Sequence, residues 1–344
     1  MTLNWLFYMA AFATSFAISL LATPYAKKLA YKLKAIDYPK SRGLHNEPMP
    51  LIGGLAIVVG FFATLLLMAP FITNFISKQF FGFIIGGIII VALGVLDDIY
   101  DLSAKLKLLV QIIVALIVVY TGTRIDVIMW PFWQYLKPFS APITVIWIIG
   151  LINAVNLIDG VDGLAAGVTS IASLCLAVLC AFSGSELAVI LTATLAGSCL
   201  GFLPRNFSPA EIYMGDTGST FLGYVLAVSS CLGVYKSYAI LSIVISVLAI
   251  ALPILDTLFA MIRRAIHHKP IMGADRGHLH HRLIDSGYSH KQAVMILYGL
   301  SFISGITAIL IAVKDFRATI VVFVFFLILL LMLYVYSLRT HNKQ

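Results

Sequence analysis

The sequence predicts an all-α integral membrane protein, a polytopic bundle of about eleven transmembrane helices, and three observations carry that reading. Of 344 residues, 61% are hydrophobic and only 11% charged, whereas a soluble domain gives roughly a quarter of its residues to charge. Apolar runs of about 17 to 25 residues, long enough to cross ~30 Å of hydrocarbon as a helix, recur from one end of the chain to the other. The period-2 alternation of a membrane β-barrel is absent, so helices are left to satisfy backbone groups in lipid.

The expected spans are 3–23, 51–70, 80–96, 106–121, 141–155, 163–182, 186–203, 217–234, 237–259, 292–313 and 318–338. Met1 to Ala22 has no charge, no basic leader and no clear cleavage site, so it reads as a first span that is retained. Gly and Pro punctuate many ends, as at Pro24, Pro70, Gly122, Pro142 and Pro204. No soluble domain fits between spans. Residues 1–344 therefore read as one membrane-embedded domain, with connections 24–50, 97–105, 204–216 and 260–291 forming its active face. Cys175, Cys180, Cys199 and Cys231 lie inside apolar runs, in no ligand spacing, and read as packing residues.

Basic residues set the expected orientation. Lys and Arg gather in the connections after spans 1, 3, 5, 7 and 9 and in the tail, while only Lys78, Arg124, Lys137, Lys236, Lys314 and Arg317 fall on the other side. The richer side is cytoplasmic by the positive-inside rule, which puts the N-terminus outside and the C-terminus in the cytoplasm. Carboxylates follow the same division: all except Asp126, Glu186 and Asp315 fall on the basic side, together with every histidine. Several stand at the very ends of spans, where an unpaired charge is costly and points to function.

Four stretches carry the chemistry. In "GVLDDIYDLSAKLKLLVQ", Asp97 and Asp98 close one span, Asp101 follows at helical spacing, and Lys105 and Lys107 open the next. Adjacent carboxylates repel unless a cation or proton joins them, which points to a divalent metal or a strongly shifted pKa. In "NAVNLIDGVDGLA", Asn153 and Asn156 share a helix face, and the pairs Asp159–Gly160 and Asp162–Gly163 break the helix where the next begins. Glycine there permits close approach to a polar ligand. In "EIYMGDTGST", Asp216 stands between glycines ahead of a span, either as an ordinary helix cap or as a metal ligand. The loop "HHKPIMGADRGHLHHRLIDSGYSHKQ" crowds Arg276, His278, His280, His281 and Arg282 together, donors suited to phosphate and sugar hydroxyls. Its histidines have no HExxH frame or partnering thiolate for zinc. Asp256, near the inner end of span 237–259, is a further acidic point.

Metal, acids and cationic donors around one membrane-edge cleft suit transfer of a phosphate-linked group. A transporter is the rival from another class, but it would place polar groups near the midplane with access from both sides. A membrane prenyltransferase would want a second DDxxD motif, for which "DGVDG" is a poor substitute.

In order and position, "LDDIYDLSAKLKLL", "NAVNLIDGVDGLA", "MGDTGS" and "ADRGHLHHRL" resemble the polyprenyl-phosphate N-acetylhexosamine-1-phosphate transferases, glycosyltransferase family 4. The resemblance covers nearly the whole chain. It implies a homodimer in the cytoplasmic membrane that uses Mg²⁺, with Mn²⁺ as a substitute, and that has no nucleic-acid partner. Its reaction would move a sugar 1-phosphate from a UDP-N-acetylhexosamine to undecaprenyl phosphate and release UMP. By the same resemblance Asp97, Asp98, Asp159, Asp162 and His278 are catalytic, with Asp97 deprotonating the lipid phosphate. Asp216, Asp98 and Asn156 would hold the metal. Lys105 or Lys107, with Asn153, Asn156, Arg276, His280, His281 and Arg282, would bind substrate. The motif "HLHHR", lacking three consecutive histidines, resembles the branch that starts teichoic acid, lipopolysaccharide O-antigen or related polymers with UDP-GlcNAc, rather than the branch using UDP-MurNAc-pentapeptide.

Overall fold

The computed structural model describes residues 5–38, 48–71, 77–125, 137–233 and 279–341, with scattered positions between 247 and 264. Among them are eleven α-helices: α1 (Trp5–Leu33), α2 (Gly54–Met68), α3 (Lys78–Tyr100), α4 (Ala104–Tyr120), α5 (Ser140–Ile158), α6 (Leu164–Ser183), α7 (Glu186–Asn206), α8 (Gly215–Gly233), α9 (Leu279–Asp285), α10 (His290–Ala312) and α11 (Phe316–His341). Every expected span other than 237–259 falls on a helix; that one lies largely outside the described residues. Seven helices among the described residues are long and apolar enough to cross a membrane. The α9 helix, seven residues long, is a short element that the span pattern did not foresee.

Two expected connections are shorter than the sequence suggested. The first helix runs on to Leu33 with Pro24 inside it, as membrane helices permit where neighbouring helices and local adjustment re-satisfy the freed carbonyl. Likewise α3 carries Asp97 and Asp98 within its last turn, so the link to α4 shrinks to residues 101–103. These acids therefore stand on a helix, not in a loop. A β-hairpin of two short strands, β1 (Ile36–Asp37) and β2 (Met49–Pro50), follows α1 in antiparallel register, Ile36 opposite Pro50.

The core forms around α8. Its residues from Thr217 to Cys231 are all buried, and it packs against α2, α3, α5, α6 and α7. Phe83 of α3 stacks on Tyr224 of α8 at 5.5 Å between ring centroids, and the Tyr224 hydroxyl donates to Phe83 O at 2.8 Å. Around this centre α1 packs on α2 and α7, and α10 on α6. Outward-facing Leu6, Leu21, Leu66 and Ile146 stay exposed, the apolar rim that a bilayer would cover.

Close approach of α3 to α8 depends on Gly94. A Cβ there would stand 2.5 Å from Thr217 Cα and 2.8 Å from Asp216 O, both backbone atoms that cannot yield cheaply. Gly150, on α5, has nothing within 4 Å of the same point. Gly94→Val is therefore expected to lower the melting temperature of the detergent-solubilised protein, at a cost of about 1–3 kcal/mol, whereas Gly150→Val should leave it unchanged. Equal melting temperatures for the two variants would contradict this packing.

Candidate active site

At one end of the bundle α3 and α5 finish while α4, α6 and α8 begin, and the sequence makes each terminus polar. Asp101 ends α3 in a left-handed conformation, φ 52°, and its N–H reaches Asp97 O at 2.8 Å. Leu102 N–H donates to Asp97 Oδ1 at 2.8 Å, and Ser103 caps α4 by accepting from Leu106 N–H. This tight reversal returns α4 alongside α3. Lys107, one turn into α4, then places its Nζ 2.8 Å from Asp97 Oδ2 and 3.0 Å from Asp216 Oδ2. Asn156 Nδ2 donates to that same Asp216 oxygen at 3.2 Å.

Asp98 has a different task. Its Oδ1 accepts Asp216 N–H at 2.8 Å, and its Oδ2 accepts Thr217 N–H at 3.0 Å and the Thr217 hydroxyl at 2.6 Å. These are orphan donors of the first turn of α8, so a carboxylate from α3 supplies the cap that Asp216 was expected to provide. Gly215, at φ +72°, makes this possible: a Cβ would stand 2.6 and 2.7 Å from the two Asp98 oxygens. Asp98 thereby positions the first turn of α8, while Oδ1, with a single donor, keeps a lone pair for a further ligand.

Asp159 caps the end of α5 at the turn into α6. Partly buried, its carboxylate accepts no hydrogen bond among the described residues. Removal from water, followed by the charges of Asp216, Asp98 and Asp162, pushes its pKa up to about 8. Asp162 instead docks the connection ahead of α8, accepting Ala210 N–H at 3.0 Å. That connection also forms a main-chain ladder with the segment after β2: Tyr213 N–H to Pro50 O at 2.8 Å, Gly53 N–H to Tyr213 O at 2.9 Å and Gly54 N–H to Met214 O at 2.8 Å. Tyr298 of α10 closes the far side, donating to Gly163 O at 2.6 Å.

The structure thus joins Asp97, Lys107, Asn156 and Asp216 directly, with Asp98 behind them and Asp159 electrostatically coupled to Asp216. Of the two lysines it is Lys107 that turns inward; Lys105 and Asp101 are exposed. Asn153 does not reach the carboxylates but bonds Gln111. Arg282 lies on α9, half-buried. Arg276, His278 and Asp256, with the side chains of His280 and His281, lie outside the described residues. Sequence reasoning missed the 49–54 ladder, Thr217, Tyr298 and Gln111. Only Gln111 had left a signal, as an uncharged polar residue interrupting an apolar run.

The donor set fits a hard divalent cation. Asp159 is a partly buried acceptor without a donor among the described residues, facing other carboxylates, and acidic oxygens are the ligands such ions take. Among the described residues no three His, Cys, Asp or Glu side chains enclose a metal position unaided. An ion of the Mg²⁺ type keeps waters and is bound through one or two carboxylates together with substrate phosphates.

A bundle of long apolar helices thus carries a lysine-bridged acidic cluster at one rim. The family model for glycosyl transferase family 4 matches residues 80–234, the segment that holds all of the acids, the lysine and the asparagine of the cluster. The chain is 41% identical over 304 residues to a probable undecaprenyl-phosphate N-acetylglucosaminyl 1-phosphate transferase of Bacillus subtilis, covering 88% of this chain and 84% of that one. It is 34% identical to the decaprenyl-phosphate N-acetylglucosaminephosphotransferase of Mycolicibacterium smegmatis, over 83% of this chain and 77% of the relative. With the undecaprenyl-phosphate alpha-N-acetylglucosaminyl 1-phosphate transferase of Escherichia coli K12 the identity is 26%, over 79% and 75%. The chain belongs to glycosyl transferase family 4 and is a phosphoglycosyltransferase.

If Asp98 works as the cap of α8, Asp98→Ala should destabilise the protein by about 1–2 kcal/mol and also displace Asp216, lowering activity. Asp101→Asn, at the exposed third position of DDxxD, removes the charge but keeps a residue type that tolerates the left-handed turn, and should change neither melting temperature nor turnover. Loss of activity at Asp101 equal to that at Asp98 would refute the division of roles.

Proposed function

We propose that this protein transfers N-acetylglucosamine 1-phosphate from UDP-GlcNAc to undecaprenyl phosphate at the cytoplasmic face of the membrane, releasing UMP. The product would be the first lipid-linked intermediate of teichoic acid or another surface polysaccharide. One observation supports this above others: Asp97 and Asp216 meet on Lys107, with Asn156 on the same oxygen, at a helix-end rim where a lipid headgroup and a water-soluble nucleotide can both arrive. The relatives' names favour the GlcNAc donor, and the basic connections support a cytoplasmic site with the N-terminus outside.

The chemistry reads as one in-line displacement in which a lipid phosphate oxygen attacks the β-phosphorus and UMP departs. A phosphate monoester with a second pKa of about 6 is largely ionised at neutral pH, so Asp97 has only a residual proton to accept. Lys107, held between Asp97 and Asp216, is placed to exchange one carboxylate for a phosphate oxygen and to offset charge there. Asp98 keeps the first turn of α8, and so Asp216, fixed during the displacement. Asp216, Asp159 and the amide oxygen of Asn156 would hold Mg²⁺, which when bound offsets charge on the pyrophosphate. Arg276, His278, His280, His281 and Arg282 complete the reading as donors to the sugar diphosphate, the last three carried by α9.

Purified protein supplied with radiolabelled UDP-GlcNAc, undecaprenyl phosphate and Mg²⁺ is expected to yield UMP and labelled lipid; no labelled lipid would end the proposal. Asp216→Asn should reduce kcat by about 100-fold or more, and wild-type turnover would remove Asp216 from the site. Chelation by EDTA should stop the reaction and added Mg²⁺ should restore it.

A further inference from the structure

A buried amide pair lies one helical turn beneath the lysine and asparagine that meet on Asp216. Gln111, on α4, is 2% exposed, four residues beyond Lys107; Asn153, on α5, is three residues before Asn156. Asn153 Nδ2 donates to Gln111 Oε1 at 2.7 Å and to Ile149 O at 2.8 Å. Residues three and four apart on a helix share a face. The pair therefore sits on the same facing surfaces of α4 and α5 as Lys107 and Asn156, which both donate to Asp216 Oδ2. These two helices pack against each other, and the pair is the side-chain hydrogen bond between them among the described residues.

We infer that Gln111 and Asn153 are positioning residues: their amide bond fixes the rotation and register of α4 against α5, so that Lys107 and Asn156 converge on one oxygen of Asp216. The physical need is specific. A helix presenting Val114 and Val118 on its buried face can slide or rotate against an apolar neighbour at little cost, since lipid tails and leucines offer similar surroundings. A polar bond in that setting discriminates between registers, because any other register leaves a buried amide without its partner. A small rotation of α4 would swing Lys107 Nζ away from Asp97 and Asp216, and misplacement by about 1 Å at a reacting centre costs on the order of 100-fold in rate. Asn153 thereby acts through Asn156 and Lys107, without touching substrate. The functional half of this inference rests on the transfer reaction proposed above; the geometric half does not.

The experiment has two readouts that separate those halves. One is acylation of the Lys107 amine by a water-soluble acylating reagent, followed by mass spectrometry, in full-length protein in detergent. The other is steady-state transfer from UDP-GlcNAc. Gln111→Leu is expected to raise the Lys107 labelling rate several-fold and to lower kcat about tenfold or more, with KM for UDP-GlcNAc within about twofold of wild type. Asn153→Leu should do the same, and the two changes together should cost little more than either alone. The exchanged pair, Gln111→Asn with Asn153→Gln, preserves total side-chain length and should restore both readouts towards wild type. Should Gln111→Leu fail to fold, Gln111→Asn alone is the substitute, with the exchanged pair as its rescue. Unchanged Lys107 labelling in the single variants, or unchanged kcat, or failure of the exchanged pair to recover, would overturn the inference. A wild-type protein that transfers no sugar phosphate would instead overturn the transfer reaction, and the labelling arm alone would then decide whether the amide pair places Lys107.

Discussion

The lysine held between two aspartates at the rim of an apolar bundle is the constraint on which the rest of this structure turns. Lys107 stands within 3.0 Å of oxygens on both Asp97 and Asp216, which come from helices far apart in sequence. Where two like charges face each other with little water between, one must be protonated or a cation must join them. Here the ammonium joins them, and it does so with an exposable side chain rather than a permanently buried one. An arrangement of this kind is stable without substrate yet open to exchange: an incoming phosphate can replace a carboxylate as the partner of the lysine at little net cost in charge.

Much of the fold can be understood as what is needed to bring those groups together. The α8 helix must present its first turn at the rim, and a buried helix end without partners for its N–H groups would be expensive. Asp98 resolves that from α3, Gly94 and Gly215 let the backbones approach, and the 49–54 segment pins the entering chain through main-chain bonds. The same residues that read from sequence as a catalytic pair, Asp97 and Asp98, therefore divide into two kinds of work. One faces the lysine; the other holds a helix in place.

The helical membrane class, the span positions and the polar rim were legible because each rests on local physics: apolar length, turn residues and the cost of charge near lipid. Asp97, Asp98, Asn156, Asp159 and Asp216 were legible as a set because the three short motifs that hold them stand at span ends. The division of labour among them was not, since it depends on which oxygen meets which N–H across distant helices. Lys105 and Lys107 could not be separated by sequence for the same reason, a rotation of α4 that only packing sets. Asn153 was read with Asn156 as part of the polar floor, whereas its partner proved to be Gln111, a residue whose isolation in an apolar run was the only hint. The extent of α1 through Pro24 was hidden because proline and the following lysines read as a stop, while packing against α2 and α7 supports the helix as it continues.

The central claim, that helix tips remote in sequence form one phosphate-binding centre around Lys107, is tested most directly by an experimental density map of the protein with UDP-GlcNAc and Mg²⁺ bound. The account requires the diphosphate to lie against Lys107, Asn156 and Asp216, with the cation on Asp216 and the Asp98 cap of α8 intact. Density for the nucleotide sugar at another part of the bundle, out of reach of Lys107 and Asp216, would contradict it.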